Sequence, residues 1–174
     1  MAKRVFIIHG WAGHPQEGWF PWLKKELEKI GFEVFVPEMP DTDYPKIETW
    51  VPFLAKQVGK LDETTFFVGH SIGCQTILRF LERAKGKAGG CVFVGGWLPL
   101  LTGLTKDEQS VVRPWLETPI NFEKVKKITT KFTAIFSDDD PFVPISSARL
   151  FKKNLGAKII IEKGKGHFND ESNV

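Results

Sequence analysis

The chain has 174 residues, of which 26% are charged and 42% are hydrophobic, and its net charge is +3. This hydrophobic content excludes an intrinsically disordered chain, and the basic residues are not clustered as they are in nucleic-acid-binding proteins. Cys74 and Cys91 form neither a disulfide framework nor a metal-binding spacing, and no apolar run is long enough to span a membrane. We therefore expect one cytoplasmic domain over residues 1–174 that binds neither nucleic acid nor a membrane.

Strand and helix patterns alternate along the chain. Short β-branched and Phe-rich runs predict strands, and apolar residues at three- and four-residue spacing predict helices. In chain order, the predicted elements are a strand at 5–8, a helix at 20–30, a strand at 34–36, a helix at 50–58, a strand at 64–68, a helix at 72–83, a strand at 91–94, a helix at 121–127, a strand at 132–136, a helix at 145–155 and a strand at 158–161. Residues 96–120 show no clear period and contain Pro99, Gly103, Pro114 and Pro119, which predicts a long loop with at most one short helix.

This alternation predicts right-handed βαβ crossovers and a mostly parallel six-stranded sheet between two layers of helices, a three-layer α/β fold. Ligands of such sheets bind at the carboxyl ends of the strands. A functional site is therefore expected among the segments that follow the predicted strands, which are His9–Trp11, Gly69–Ser71, Gly95–Trp97, Ser137–Asp140 and Gly166–His167.

The pentapeptide Gly69-His70-Ser71-Ile72-Gly73 directly follows a predicted strand and opens a predicted helix. A G-x-S-x-G sequence in this context is typical of a nucleophile elbow, a sharp turn that holds a serine in a strained backbone conformation. Glycines on either side leave room for the turn, and the helix N-terminus directs the N–H of Ile72 toward developing negative charge. Ser71 is the candidate nucleophile; the alternative is a serine that only caps the helix between packing glycines.

A serine nucleophile needs a general base, and in this type of sheet the histidine follows both the serine and the acid in the chain. Of the four histidines, only His167 comes after Ser71, in a glycine-containing segment that permits a turn back over the sheet. His167 is therefore the candidate base, with a surface loop histidine as the alternative. We expect His9 to stabilise a turn, and His70 to point to the other side of the elbow in a structural role.

The acid is expected at the end of a strand between the serine and the histidine. Asp138, Asp139 and Asp140 all follow the predicted strand at 132–136. Pro141 favours an extended conformation at Asp140, which makes Asp140 the preferred acid, while the other two carboxylates remain alternatives. The triplet has no His or Cys nearby in the sequence, so we predict neither a metal site nor a cofactor.

The remaining parts of an acyl-transfer site can also be assigned from strand ends. The N–H of Trp11, in the turn after the first strand, is the second candidate oxyanion donor beside the N–H of Ile72. Large apolar residues that follow other strands are candidates for the substrate pocket, although ordinary packing explains any single one equally well. The pocket candidates are Trp11, Trp97, Leu98, Leu100, Leu101 and Phe142, of which Trp97, Leu98 and Phe142 are preferred.

Five segments of the chain together form a pattern that is more specific than the elbow alone. In chain order they are Trp50-Val51-Pro52-Phe53, Gly69-His70-Ser71-Ile72-Gly73, Arg113-Pro114-Trp115, Asp139-Asp140-Pro141-Phe142-Val143-Pro144 and Gly166-His167-Phe168. In these segments and their order the chain resembles the small α/β-hydrolases of the retinoblastoma-binding, or YdeN-like, serine hydrolase family. The resemblance implies a minimal α/β-hydrolase sheet and a catalytic triad whose acid is Asp140 and whose base is His167.

The sequence departs from the family pattern in two ways. It ends seven residues after His167, where family members continue into a final helix over one sheet face. We expect this to reduce the rigidity of the His167 loop and to leave an apolar patch, which is either exposed or covered by a second copy in a homodimer. The retinoblastoma-binding member carries a Leu-x-Cys-x-Glu sequence, which is absent here.

These patterns predict a serine hydrolase that cleaves a carboxylic ester, or a related acyl bond, of a small apolar substrate through an acyl-enzyme intermediate. The only partner expected for this reaction is the small-molecule acyl substrate. The alternative is a binding protein that has the hydrolase fold without its chemistry, because a fold alone does not determine a function.

Overall fold

A computed structural model describes residues 2–169 of the chain, in which strands and helices alternate. The strands are β1 (Lys3–Ile8), β2 (Phe32–Phe35), β3 (Thr65–His70), β4 (Gly90–Val94), β5 (Phe132–Ser137) and β6 (Lys158–Glu162). The helices are α1 (Phe20–Lys29), α2 (Ile47–Val58), α3 (Ile72–Arg83), α4 (Lys106–Glu117), α5 (Phe122–Ile128) and α6 (Ser146–Leu155). No helix among residues 2–169 is both long and apolar enough to cross a membrane.

The six strands form one sheet in the order β2-β1-β3-β4-β5-β6, and each neighbouring pair is parallel. The predicted three-layer α/β fold is thereby confirmed. Because all strands run in the same direction, their carboxyl ends lie along one edge of the sheet. The loops after β1, β3, β4, β5 and β6 meet at that edge.

The two faces of the sheet are covered unequally. One face packs against α2, α3, α5 and α6 around a large core that includes Phe67, Phe93 and Phe151. The other face carries a smaller core with Phe20 of α1 and Phe168. Beside α1 this second face has a groove of about 890 Å³. Apolar side chains line most of the groove, among them Trp22, Leu27, Phe32, Phe66, Val92 and Ile135.

The largest difference from the predicted elements lies in residues 96–120. The structure has one helix there, α4, as the sequence allowed, but with 12 residues it is longer than the short helix that was predicted. The helix begins with a capping box in which Thr105 and Glu108 exchange hydrogen bonds, a signal that outweighs the weak periodicity. Val112 and Trp115 are buried, while Pro114 lies within the helix.

A smaller difference concerns α2, which begins at Ile47 rather than at Trp50. Pro52 is therefore the sixth residue of the helix, whereas the predicted bounds of 50–58 place it third, near the start. A proline there removes one helical hydrogen bond to Glu48, four residues earlier. Both residues are exposed, so water can satisfy the carbonyl that loses its partner.

Candidate active site

Ser71 occupies a sharp turn between β3 and α3. Its backbone has φ 53° and ψ −121°, a conformation that costs a non-glycine residue about 1–3 kcal/mol. The backbone N–H of Ser71 donates to the carbonyl of Val94 at 3.0 Å, which ties the turn to β4. Ile72 is the first residue of α3, so its N–H has no acceptor within the helix. This is the geometry of a nucleophile elbow.

The two glycines of the pentapeptide are required by close backbone approaches. A Cβ atom on Gly69 would lie 2.8 Å from the backbone nitrogen of Cys74. A Cβ atom on Gly73 would overlap the carbonyl oxygen of Ile8 in β1. Since neither backbone group can move without shifting a strand or a helix, the elbow excludes side chains at both positions.

His167 and Asp140 form a hydrogen-bonded pair at the same edge of the sheet. His167 Nδ1 lies 2.7 Å from Asp140 Oδ2, and the two side chains are only 10% and 2% exposed. The other carboxylate oxygen, Oδ1, accepts hydrogen bonds from the N–H groups of Phe142 and Val143 at 2.9 and 3.0 Å. Asp140 is thus fixed by its own loop and presents one free oxygen to the imidazole.

The other two aspartates of the triplet hold the backbone of the His167 loop. Asp138 Oδ1 accepts from the N–H of Gly164 at 2.9 Å, and Asp139 Oδ1 accepts from the N–H of Gly166 at 2.8 Å. The Ser137 hydroxyl donates to Asp139 at 2.6 Å, and this bond, more than that of Gly166, lowers the pKa of the Asp139 carboxyl. The loop is therefore better supported than the sequence predicted.

The turn after β1 is oriented by His9, which is fully buried. His9 Nε2 accepts from the N–H of Met39 at 3.1 Å, so the proton is on Nδ1, which lies 2.9 Å from the carbonyl oxygen of Gly10. The same carbonyl accepts from the N–H of Gly13. In a trans peptide the carbonyl and the next N–H point in opposite directions, so the N–H of Trp11 is directed away from His9.

Ser71 and His167 both line a cleft of about 370 Å³ at the carboxyl edge of the sheet, which we call the active-site cleft. Of the remaining predicted site residues, Trp11, Ile72, Trp97 and Phe142 also line it, and Asp140 contacts it through His167. Leu98 and Leu100 do not line the cleft; Leu98 is buried in the larger core and Leu100 is exposed. Leu101, a pocket candidate from the sequence, also lines the cleft. The lining residues that sequence reasoning did not assign to the site are Gly10, Ala12, Glu17, His70, Leu104, Glu108, Val112 and Asn169.

Three of these unassigned lining residues come from α4 or the segment just before it: Leu104, Glu108 and Val112. The signal that could have found them is the capping box at Thr105 and Glu108, which marks a helix start after the predicted pocket residues. No three His, Cys, Asp or Glu side chains within residues 2–169 are grouped as a metal site would require.

The position of His70 differs in part from the prediction that it points to the other side of the elbow. It does point to the α1 side of the sheet, where it contacts the rings of Trp19 and Phe20. However, the His167 loop lies on that side as well, because the indole N–H of Trp19 donates to the carbonyl of Phe168 at 3.0 Å. The centroids of the His70 and His167 rings are therefore 5.1 Å apart. His70 lies beside the candidate base, and the prediction that it points away from the site was wrong.

The burial of His70 predicts a loss of stability in acid. Burial, followed by the nearby His167, lowers the pKa of His70 from 6.5 to about 3. Between these values the unfolded chain binds a proton that the folded protein does not, so the free energy of unfolding falls as the pH falls. Between pH 7.5 and pH 5 the free energy of unfolding is therefore expected to fall by about 2 kcal/mol. Urea unfolding at both pH values measures it.

A glutamine at this position does not titrate and provides the control for that measurement. Between pH 7.5 and pH 5, the free energy of unfolding of His70→Gln is expected to fall by about 2 kcal/mol less than that of the parent. Burial also lowers the pKa of His9, but that contribution is the same in both proteins. An identical pH dependence of the parent and the variant would contradict the prediction.

The parallel sheet, the strained serine between β3 and α3 and the cleft at the strand ends define a serine hydrolase with the α/β-hydrolase fold. A model of the serine hydrolase family matches residues 5–174. The chain belongs to this family, and it is an esterase-like serine hydrolase.

Individual relatives agree with this assignment. The chain is 31% identical to YdeN of Bacillus subtilis, over 98% of this chain and 88% of the relative. It is 29% identical to the serine hydrolase RBBP9 of Rattus norvegicus, over 88% of this chain and 79% of the relative. The crystal structure of the ydeN gene product superposes with a TM-score of 0.87, covering 95% of this chain and 88% of that one.

More distant structures share the fold. Est1E from Butyrivibrio proteoclasticus superposes with a TM-score of 0.73 at 18% identity, covering 99% of this chain and 82% of that one. At this identity the similarity concerns the fold alone.

Proposed function

We propose that the protein hydrolyses carboxylic esters of small, uncharged acyl groups with Ser71 as nucleophile, His167 as general base and Asp140 as the acid that orients the base. The observation that carries the proposal is the 2.7 Å hydrogen bond between His167 and Asp140 beside a serine with φ 53°. A strained serine and a paired, nearly buried imidazole on one cleft form the arrangement that acyl transfer requires.

In the proposed reaction, the Ser71 hydroxyl attacks the carbonyl carbon of the ester while His167 Nε2 takes its proton. The N–H groups of Trp11 and Ile72 stabilise the negative charge on the carbonyl oxygen. When the tetrahedral intermediate collapses, His167 gives the proton to the departing alcohol, and Ser71 keeps the acyl group. Water, activated by the same histidine, then releases the acid and restores the serine.

The Ser71 hydroxyl is available for this step, since it forms no hydrogen bond with another residue in the range 2–169. Proton transfer requires His167 Nε2 to come within about 2.6–3.2 Å of that hydroxyl, an approach that many serine enzymes complete only when substrate binds. Asp140 holds the other nitrogen of the ring and so keeps the basic lone pair on the Ser71 side.

The volume and the lining residues of the cleft favour a substrate with a small and uncharged acyl group. Its volume of about 370 Å³ is near the lower end of the ~300–1,000 Å³ range of ligand pockets. Apolar side chains such as Trp97 and Leu101 favour an apolar group. Two acidic side chains, Glu17 and Glu108, also line the cleft. Hydrogen bonds from the N–H and hydroxyl of Thr105 lower the pKa of Glu108, which keeps it ionised and unfavourable to an anion.

A series of p-nitrophenyl esters tests this proposal. We expect kcat/KM to be highest for acetyl to butyryl esters and at least tenfold lower for the dodecanoyl ester, because a long chain exceeds the cleft. The succinyl half-ester, which matches butyryl in length but ends in a carboxylate, is also expected to react at least tenfold more slowly. Stopped-flow measurements should show a burst of p-nitrophenol that approaches one equivalent of enzyme when deacylation is slow.

The Glu17→Gln variant is the matched control for the charge effect. It is expected to narrow the difference between butyryl and succinyl esters without changing the dependence on chain length. If no ester of the series were hydrolysed faster than by buffer, the proposed activity would be wrong and the alternative, a binding protein with this fold, would be favoured.

A further inference from the structure

His70 is a buried imidazole in the site to which the proposed reaction gives no role. It is the last residue of β3 and is 4% exposed. Its ring is enclosed by the rings of Trp19, Phe20 and His167, and it lies against Gly10, where a Cβ atom would be 3.2 Å from Nδ1. A polar side chain is seldom placed in such surroundings unless a hydrogen bond compensates for its burial.

That compensation comes from the residue that acts as base. His70 Nε2 lies 2.7 Å from the backbone carbonyl oxygen of His167, 97 residues away in the chain. A carbonyl oxygen only accepts hydrogen bonds, so Nε2 must carry the proton. Nδ1 has no partner among the described residues, and burial lowers the pKa of the ring, so His70 is a neutral imidazole with one defined tautomer.

The hydrogen bonds of the His167 loop show what this contact adds. Asp138, Ser137 and Asp139 hold the N–H groups of residues 164, 165 and 166, and Trp19 holds the carbonyl of residue 168. Among the described side chains, His70 is the one that holds the backbone of residue 167 itself. The His167 ring also packs near the rings of His70 and Phe142, at centroid distances of 5.1 and 5.3 Å.

We propose that His70 is a positioning residue for the general base: its Nε2–H, donated to the His167 carbonyl, fixes the backbone from which the imidazole is directed at Ser71. The proposal rests on the proposed function, because it assigns His167 as the base. Asp140 fixes the ring of His167 from one end and His70 fixes its backbone from the other, so both points that define the direction of Nε2 are held.

A neutral donor suits this position better than a charged one. The imidazole of His167 becomes positively charged when it takes the proton of Ser71. A lysine or a protonated histidine at position 70 would place a second positive charge about 5 Å away and oppose that step. A buried, neutral imidazole supplies the N–H without the charge.

Two substitutions separate the hydrogen bond from the packing. His70→Phe keeps an aromatic ring but removes the donor, and His70→Gln places an amide N–H near the position of Nε2. We expect His70→Phe to lower kcat for p-nitrophenyl butyrate at least tenfold with KM within twofold, because an aromatic ring of similar size still forms this part of the cleft wall. We expect His70→Gln to recover kcat to within threefold of the parent. His70→Asn, whose amide is too short to reach the carbonyl, should behave like His70→Phe.

A readout that does not depend on activity accompanies the kinetics. In ¹⁵N-labelled protein, the long-range imidazole spectrum should show His70 as the neutral tautomer with its proton on Nε2. A Nδ1-protonated or charged His70 would overturn the proposal, as would equal kcat values for the phenylalanine and glutamine variants. If His70→Phe does not fold, the test is the comparison of His70→Gln with His70→Asn. Equal kcat values for these two variants would then overturn the proposal.

The failure of this proposal can be told from the failure of the proposed function. An active parent with a His70→Phe variant of equal kcat would remove the role of His70 and leave the Ser71 reaction standing. An inactive parent would overturn both, since there would be no base to position.

Discussion

Ser71→Ala is expected to lower kcat on an activated ester by roughly 10⁴-fold or more. The variant removes the oxygen that forms the acyl-enzyme bond in the proposed reaction, and residues 69–73 contain no other serine or threonine. Alanine has the same Cβ atom as serine, so the backbone at φ 53° is strained to a similar degree and the fold is retained. Initial rates with p-nitrophenyl butyrate, together with thermal unfolding of both proteins, provide the measurement.

A serine outside the cleft supplies the control for this substitution. Ser110 is exposed on α4, and its hydroxyl donates to the carbonyl of Asp107. Ser110→Ala should therefore leave kcat within a factor of about two, as is typical of surface substitutions. Parent-like turnover by Ser71→Ala would mean that the ester is cleaved by a group other than Ser71, and the proposed mechanism would have to be abandoned.

Asp140→Asn should lower kcat by roughly 10³- to 10⁴-fold at neutral pH. In the proposed mechanism the carboxylate accepts the proton of His167 Nδ1, 2.7 Å away, which leaves Nε2 free to take the proton of Ser71. An asparagine amide can instead donate to Nδ1, and the ring proton then moves to Nε2, where it blocks the reaction. The geometry is nearly preserved, so kcat should change far more than KM. Steady-state kinetics on the folded variant measure both constants.

Asp139→Asn is the matched control, because it makes the same chemical change one residue earlier. Asp139 accepts hydrogen bonds from Ser137 and from the N–H of Gly166, and an amide oxygen can retain at least one of them. We expect a loss of less than tenfold in kcat from a less firmly held loop. The reverse order, with Asp139→Asn more damaging than Asp140→Asn, would assign the acid to Asp139.

The parts of the fold that repeat a local pattern could be predicted from the sequence. The run at Val5–Ile8 and the helix at 72–83 carry strong signals, since a buried parallel strand is continuously apolar and an amphipathic helix has a regular period. The elbow at Ser71 was equally clear, because its glycines reflect steric limits imposed by neighbouring backbone. The length of helix α4 was underestimated, because the face that it buries is narrow and its periodicity is therefore weak.

The choice among the three aspartates shows where sequence reasoning stops. All three follow the same strand, and only the resemblance and Pro141 favoured Asp140. Which carboxylate meets His167 depends on how the loop after β5 packs against the loop after β6, a tertiary contact across 27 residues. In the structure the three aspartates have different partners. Asp140 bonds to the imidazole of His167, while Asp138 and Asp139 accept hydrogen bonds from the backbone N–H groups of the loop that carries it.

Leu98 and His70 illustrate the same limit for individual side chains. Leu98 was assigned to the pocket because it follows a strand end, but its neighbour Trp97 lines the cleft while Leu98 enters the core. The contact of His70 with His167 could not be predicted, because it joins residues 97 positions apart through a loop whose path only the folded chain defines.

The central claim is that Ser71 is an activated nucleophile, and covalent labelling tests it most directly. The parent protein, treated with a fluorophosphonate probe and digested, should carry one adduct, located by mass spectrometry on the peptide that contains Ser71. Ser71→Ala should carry none, and His167→Ala should label far more slowly, because the serine loses its base. An unlabelled parent, or an adduct on another residue, would contradict the account.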